Sequence, residues 1–201
     1  MEKVTQSESP RVIFDRWVKT MHETNDDTKT FLLLGKAAYP MTNDYRLRQP
    51  VWSQGSPFSS VEIAYKFSKY NLQRGQEIDE SEDQKKFLIA CQDSRLTPAL
   101  IRILERKMVD PVISPNWSDT KLQLMYTLNL QKFRLNPELR QMLIDTGQKE
   151  IIAPSFSVSP NGQPWSDQVY EVLFDEYGKR IGGQNIMGQV LVRVRGELQD
   201  S

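Results

Sequence analysis

The stretch Ser60-Val-Glu-Ile-Ala-Tyr-Lys-Phe-Ser-Lys-Tyr70 decides how this chain is read. Drawn as a helix at about 100° per residue, it brings Glu62, Lys66 and Lys69 onto one stripe, with the Cα atoms of Glu62 and Lys69 roughly 10 Å apart. The side chains of this carboxylate and these amines are long enough to converge. Ser59 or Ser60 can cap the helix, and Glu62 falls in the first turn, where a negative charge complements the macrodipole. Ile63, Phe67 and Tyr70 repeat the same spacing one residue on, so an apolar stripe that would anchor the helix in a core borders the charged one. The plainer alternative is a solvated face carrying an i,i+4 pair between Glu62 and Lys66.

Outward from this helix the chain reads as mainly α with a few short strands. Toward the N-terminus, residues 38–58 form a long irregular loop, Phe31 to Leu34 a buried strand, and 11–22 a helix with Val12, Ile13, Trp17 and Met21 toward one side. Toward the C-terminus, an acidic connection over 76–82 leads to a helix near 83–92. A second helix is opened by Thr97 as N-cap and Pro98 at the first helical position. Helical periodicity returns over 118–134 through Leu122, Met125, Tyr126, Leu128 and Phe133. Asn136-Pro137 opens another helix, which Gly147 stops after Thr146. Ile151-Ile152 and Val169 to Phe174 are strand candidates, and the last helix begins near Asn185. Gly182 and Gly183 precede it: they let a backbone approach a ligand closely, and free amides at a helix start suit a phosphate. A glycine turn with an Asn cap is the simpler reading of that segment.

Composition removes several functions. Two hundred and one residues with 38% apolar content can bury one well-formed domain. Twenty-six basic residues balance twenty-six acidic ones, so no net field draws in nucleic acid or an anionic membrane. No apolar run reaches membrane-spanning length and the start carries no apolar signal segment, which predicts a cytoplasmic protein. The lone Cys91 reads as a buried core thiol, and the single His22 gives no support to a triad, a Cys-His pair or a zinc site. No cofactor or metal is expected. Any acid, base or nucleophile must then come from Asp, Glu, Lys or Tyr.

Taken in order, several short segments resemble the NADAR family, also called YbiA-like, over roughly residues 31–198. Met41-Thr42-Asn43 is similar to the family's Leu-Ser-Asn element, and Phe58-Ser-Ser-Val-Glu62 to its Ser-x-Glu-His helix start. Lys69-Tyr70 stands where the family has Lys-Phe. Asn116-Trp117-Ser-Asp119-Thr-Lys121 with Met125, Lys132-Phe133-Arg-Leu-Asn136-Pro-Glu-Leu139 and Leu143-Ile-Asp-Thr146-Gly147 resemble further family segments. Gly183-Gln-Asn185-Ile-Met-Gly188 resembles its Gly-x-Asn-x-Leu-Gly close. The chain departs from the family at Ile63, Asp44 and Ala153, and its nearest counterpart to Trp-Gly-x-Gly is Trp165-Ser-Asp167. Residues 1–30 then form an N-terminal extension, and an insertion lies near 155–181.

The resemblance implies a single compact, mainly helical domain that hydrolyses an N-glycosidic bond between a ribose carbon and nitrogen. Its substrates would be small ribosyl phosphates of the riboflavin pathway or ADP-ribosyl compounds, with ADP-ribosylated guanine in nucleic acid as a further partner. The other possibility is a module that binds ADP-ribose or a nucleotide without turning it over. Breaking C1–N builds positive charge on the sugar, so Glu62 can stabilise an oxocarbenium-like state or activate water. The resemblance implies that Lys69 can act as the amine that attacks the opened sugar, although an ion pair with Glu62 would compete with that role. On the same basis Asp167 protonates or orients the leaving group, Trp165 stacks on a base and Asn43 holds a ribose hydroxyl. Tyr45, Trp117, Gly183 and Asn185 complete the substrate contacts. Trp117 and Trp165 could equally be packing residues, and Asn43 could close an Asx-turn.

Overall fold

The computed structural model describes residues 29–33, 39–71, 81–156, 171–174 and 180–200. The expected helix at 11–22, His22, the connection at 76–80 and most of the insertion, Trp165 and Asp167 included, lie outside the described residues. The chain is mainly α with a few short strands, as the periodicity predicts. Its contacts divide it into two units, one of residues 1–38 and 146–192 and one of 39–145 and 193–201.

The second unit holds the helix quoted above. A turn of 3-10 helix at Tyr39–Met41 leads into a loop, then strands β2 (Val51–Ser53) and β3 (Ser56–Phe58) pair antiparallel. This hairpin replaces the second half of the expected irregular loop. Its two-residue turn, Gln54-Gly55, has positive φ at both positions (47° and 79°), the geometry usually carried by Asn-Gly. With Gln in the first place and Pro57 inside the second strand, the usual sequence signals are missing. Helix α1 (Val61–Tyr70) starts at Ser60, whose hydroxyl accepts from Ile63 N at 3.2 Å. Ile63, Ala64, Phe67 and Tyr70 are buried, with the Phe67 ring 4.8 Å from Phe58 and the Tyr70 ring 5.4 Å from Phe87.

Helix α2 (Glu82–Gln92) is capped by Ser81, and α3 (Pro98–Glu105) by Thr97 with Pro98 at its start. Gln84 of α2 is fully buried because backbone groups occupy its amide: it donates to Tyr70 O and Val112 O and accepts from Val112 N. Cys91 is buried as expected, and its thiol is pushed up to about 12, first by burial and then by the nearby Glu105 charge. The long α4 (Trp117–Leu135) buries Leu128 and Phe133, and α5 (Pro137–Asp145) buries Leu139 and Leu143 before Gly147 turns the chain at φ +60°.

In the first unit β1 (Thr30–Leu32) pairs parallel with β4 (Glu150–Ile152). Strand β5 (Pro154–Phe156) pairs parallel with β6 (Val172–Phe174), which pairs antiparallel with β7 (Arg180–Gly182). Sequence periodicity missed β5 and β7: each is three residues long and lies in Pro- or Gly-containing sequence, too short for an alternation to register. Helix α6 (Ile186–Gln199) follows, its first half counted with this unit and its second, from Arg193, with the other.

Candidate functional site

The start of α1 is fixed by the loop in front of it. Glu62 N donates to Asn43 O at 3.0 Å, so one of the four N–H groups that a helix leaves unpaired finds its acceptor in the segment Thr42-Asn43-Asp44. Glu62, Lys66 and Lys69 do share a stripe. Rather than facing water, it is covered by α3, leaving the three side chains 19%, 15% and 27% exposed.

Charge alternates across this contact. Asp44 accepts from both terminal nitrogens of Arg102 at 2.8 Å, a bidentate pair. Arg102 Nη1 also reaches Glu62 Oε1 at 3.4 Å, and Lys66 Nζ approaches the same oxygen at 3.4 Å. Lys66 then hydrogen-bonds Glu105, which also accepts from the Tyr70 hydroxyl at 2.9 Å and lies 3.7 Å from Lys69 Nζ. Among the described residues no hydrogen bond falls on Glu62 Oε2. One oxygen of Glu62 is therefore anchored by two cations, and the other can take a water or a sugar.

The electrostatics follow from these partners. Burial pushes the Glu105 carboxyl up, but the Lys66 hydrogen bond and charge, the Tyr70 hydroxyl and Lys69 outweigh it and bring the group below its ordinary value. Tyr70 is raised, by burial first and then by Glu105. Arg102 is raised chiefly by its hydrogen bond to Asp44. The carboxylate beside Lys69 is thus Glu105, not Glu62, and the Lys69 ammonium also sits 4.8 Å over the Tyr70 ring.

A further lysine lies beneath the loop. Lys132 of α4 is fully buried, its Nζ donates to Thr42 O at 2.7 Å, and burial brings its pKa down to about 7 against a smaller opposing pull from Asp44. Asn129, one turn earlier, is also fully buried, and Asn136, one turn later, exchanges hydrogen bonds with Gln49 N and O. Lys132 and Asn136 therefore hold the loop at its two ends, Thr42 and Gln49.

The other expected site residues are distributed as follows. Asn43 donates to Met125 Sδ at 3.3 Å, under the same loop as Asp44. The Tyr45 ring stands edge-on to Tyr39 at 5.6 Å, and Trp117 packs edge-on against Tyr65 of α1 at 4.7 Å. Gly183 and Asn185 belong to the other unit. There the close approach permitted by Gly183 (φ +85°) is to the chain's own backbone, since a Cβ would fall 2.1 Å from Glu171 O. Asn185 does not cap the helix through its side chain: that amide accepts from Ala153 N at 3.0 Å and donates to Ile151 O at 2.9 Å. At both positions the partners observed belong to the chain's own backbone.

Sequence reasoning missed Asp44, Arg102, Glu105 and Lys132. Two signals were available. Arg102 interrupts the otherwise apolar run Ala99 to Leu104 and Glu105 follows it three residues on, and Lys132 occupies the heptad position after Met125 and Leu128 where an apolar residue belongs. Among the described residues no three His, Cys, Asp or Glu side chains gather as metal ligands would, and no helix is long and apolar enough to cross a membrane.

Fold and site together define a mainly helical protein with an acid held at a helix start by two cations. The chain belongs to the NADAR family: the family model, described as the NADAR domain, matches residues 6–199. That match begins well ahead of residue 31, where the resemblance in sequence starts. The NMR structure of the E. coli protein YbiA is similar to this chain, with a TM-score of 0.60 and 18% identity over 86% of each chain. At that identity the likeness is one of fold. No curated protein matches the chain.

Proposed function

We propose that this protein is an N-glycosidase that hydrolyses the bond between a ribose C1 and nitrogen in a ribosyl-phosphate or ADP-ribosyl compound. The observation that carries the reading is Glu62: Oε1 is held by Arg102 and Lys66, and Oε2 is left for the reaction. As C1–N breaks, its electron pair leaves with the nitrogen and positive charge builds on the sugar. A carboxylate oxygen at that point can stabilise the charge and take a proton from the water whose oxygen bonds to C1. The leaving nitrogen then needs a proton, a role that falls to Asp167. Lys69 is the amine within reach of the opened sugar, with Glu105 as its charge partner, and Asn43, Tyr45, Trp117 and Trp165 are the further substrate contacts. NADAR membership supports hydrolase chemistry of this class; the choice of substrate is our inference. Candidate partners are amino-pyrimidine ribosyl phosphates and ADP-ribosylated guanine, free or in DNA.

The test is a substrate panel of these two classes, following release of the free base and the ribose product by chromatography. Release from one class, and not the other, names the substrate. Tight binding of ADP-ribose with no release from any member would instead make the protein a binding module.

A further inference from the structure

We propose that Lys132 is a positioning residue for this site: reaching up from α4, it pins the loop Thr42-Asn43-Asp44 and so sets the placement of Glu62 and Arg102. The proposal rests on the glycosidase reading above.

Three contacts make the loop a hub. Lys132 Nζ holds Thr42 O at 2.7 Å, Asn43 O receives Glu62 N at 3.0 Å, and Asp44 grips Arg102 through two bonds of 2.8 Å. Arg102 in turn bonds Glu62 Oε1. A shift of the loop therefore moves both the backbone that seats Glu62 and the cation that anchors its side chain. Burial of a lysine ammonium is costly, and an apolar side chain of similar volume would fill the same space without that cost. Stability alone does not account for an amine here; a donor aimed at one carbonyl does.

The surroundings make the grip sensitive to pH. Asp44 is the charged group that acts on Lys132 among the described residues, the Phe133 ring lies 5.0 Å away, and the amine titrates at about 7. Protonated, it makes a charge-assisted bond to Thr42 O; deprotonated, it makes a weaker neutral one.

Lys132→Met and Lys132→Gln variants test this in single-turnover assays from pH 5.5 to 9 on a substrate that the wild type cleaves. For Lys132→Met we expect at least a tenfold slower step with substrate affinity within threefold, and loss of a wild-type inflection near pH 7; Lys132→Gln, which keeps a donor, should recover part of the rate. Amide hydrogen exchange at residues 42–46 should accelerate at least tenfold in Lys132→Met while α2 is unchanged. Wild-type rate, inflection and exchange in Lys132→Met would overturn the proposal. A loosened loop in a protein whose wild type cleaves nothing would leave the positioning role standing and sink the glycosidase reading instead. Should Lys132→Met not fold, the Thr42 carbonyl shift of the wild type, followed by NMR, should track the Lys132 titration near pH 7; an invariant shift overturns the proposal.

Discussion

Glu105 gathers more donors than any other side chain of the site: Lys66, Lys69 and Tyr70 of α1 all point at its carboxylate. Its pKa lies below the ordinary value, so the unfolded chain takes up a proton more readily than the folded one as pH falls. The stability it contributes is therefore fully present above the unfolded value of 4.5 and is lost as pH drops through the folded value. Glu105→Gln removes that dependence. We expect its thermal midpoint to fall below that of the wild type at neutral pH and the gap to narrow as pH is lowered from 5 toward 3, as read by calorimetry. A gap that widens in acid would contradict the assignment.

At the scale of elements, helices were legible wherever a cap and an apolar repeat agree. Ser60 and Thr97 each accept from the N–H three residues on, as their positions predict, and Ser81, which no apolar run marks, does the same for α2. Strands were less legible because three residues hold too little alternation. The segment from Gly183 to Gly188 shows a different limit: the glycines could be read, but not what they touch. At Gly188 a Cβ would meet Ile151 O at 1.9 Å and the Asn185 amide at 2.5 Å, so β4 and the start of α6 sit closer than any other residue allows. Gly188→Ala should cost roughly 3 kcal/mol in chemical denaturation. Gly196→Ala is the control, since nothing lies within 4 Å of a Cβ there, and it should be neutral or slightly stabilising. Equal midpoints for the two variants would show that the approach at Gly188 is not close.

For the molecule as a whole, the sequence places the acid and the amines on one helix face, but their partners come from tertiary contact. Asp44 is 18 residues from Glu62, Glu105 is 43 and Lys132 is 70, and no local period links them. The carboxylate partner expected for Lys69 from the helical stripe, Glu62, is replaced by one that the stripe alone could not reveal, because α3 supplies Glu105 from outside it. Overall neutrality likewise conceals a contact in which five charged side chains alternate in sign from Asp44 to Glu105. The central claim is that Glu62 acts on the sugar, and its most direct measurement is the single-turnover rate of Glu62→Gln on a substrate that the wild type cleaves. The amide keeps the size and removes the charge. We predict a rate at least about a hundredfold lower with substrate affinity within a few-fold of wild type; an unchanged rate would contradict the account.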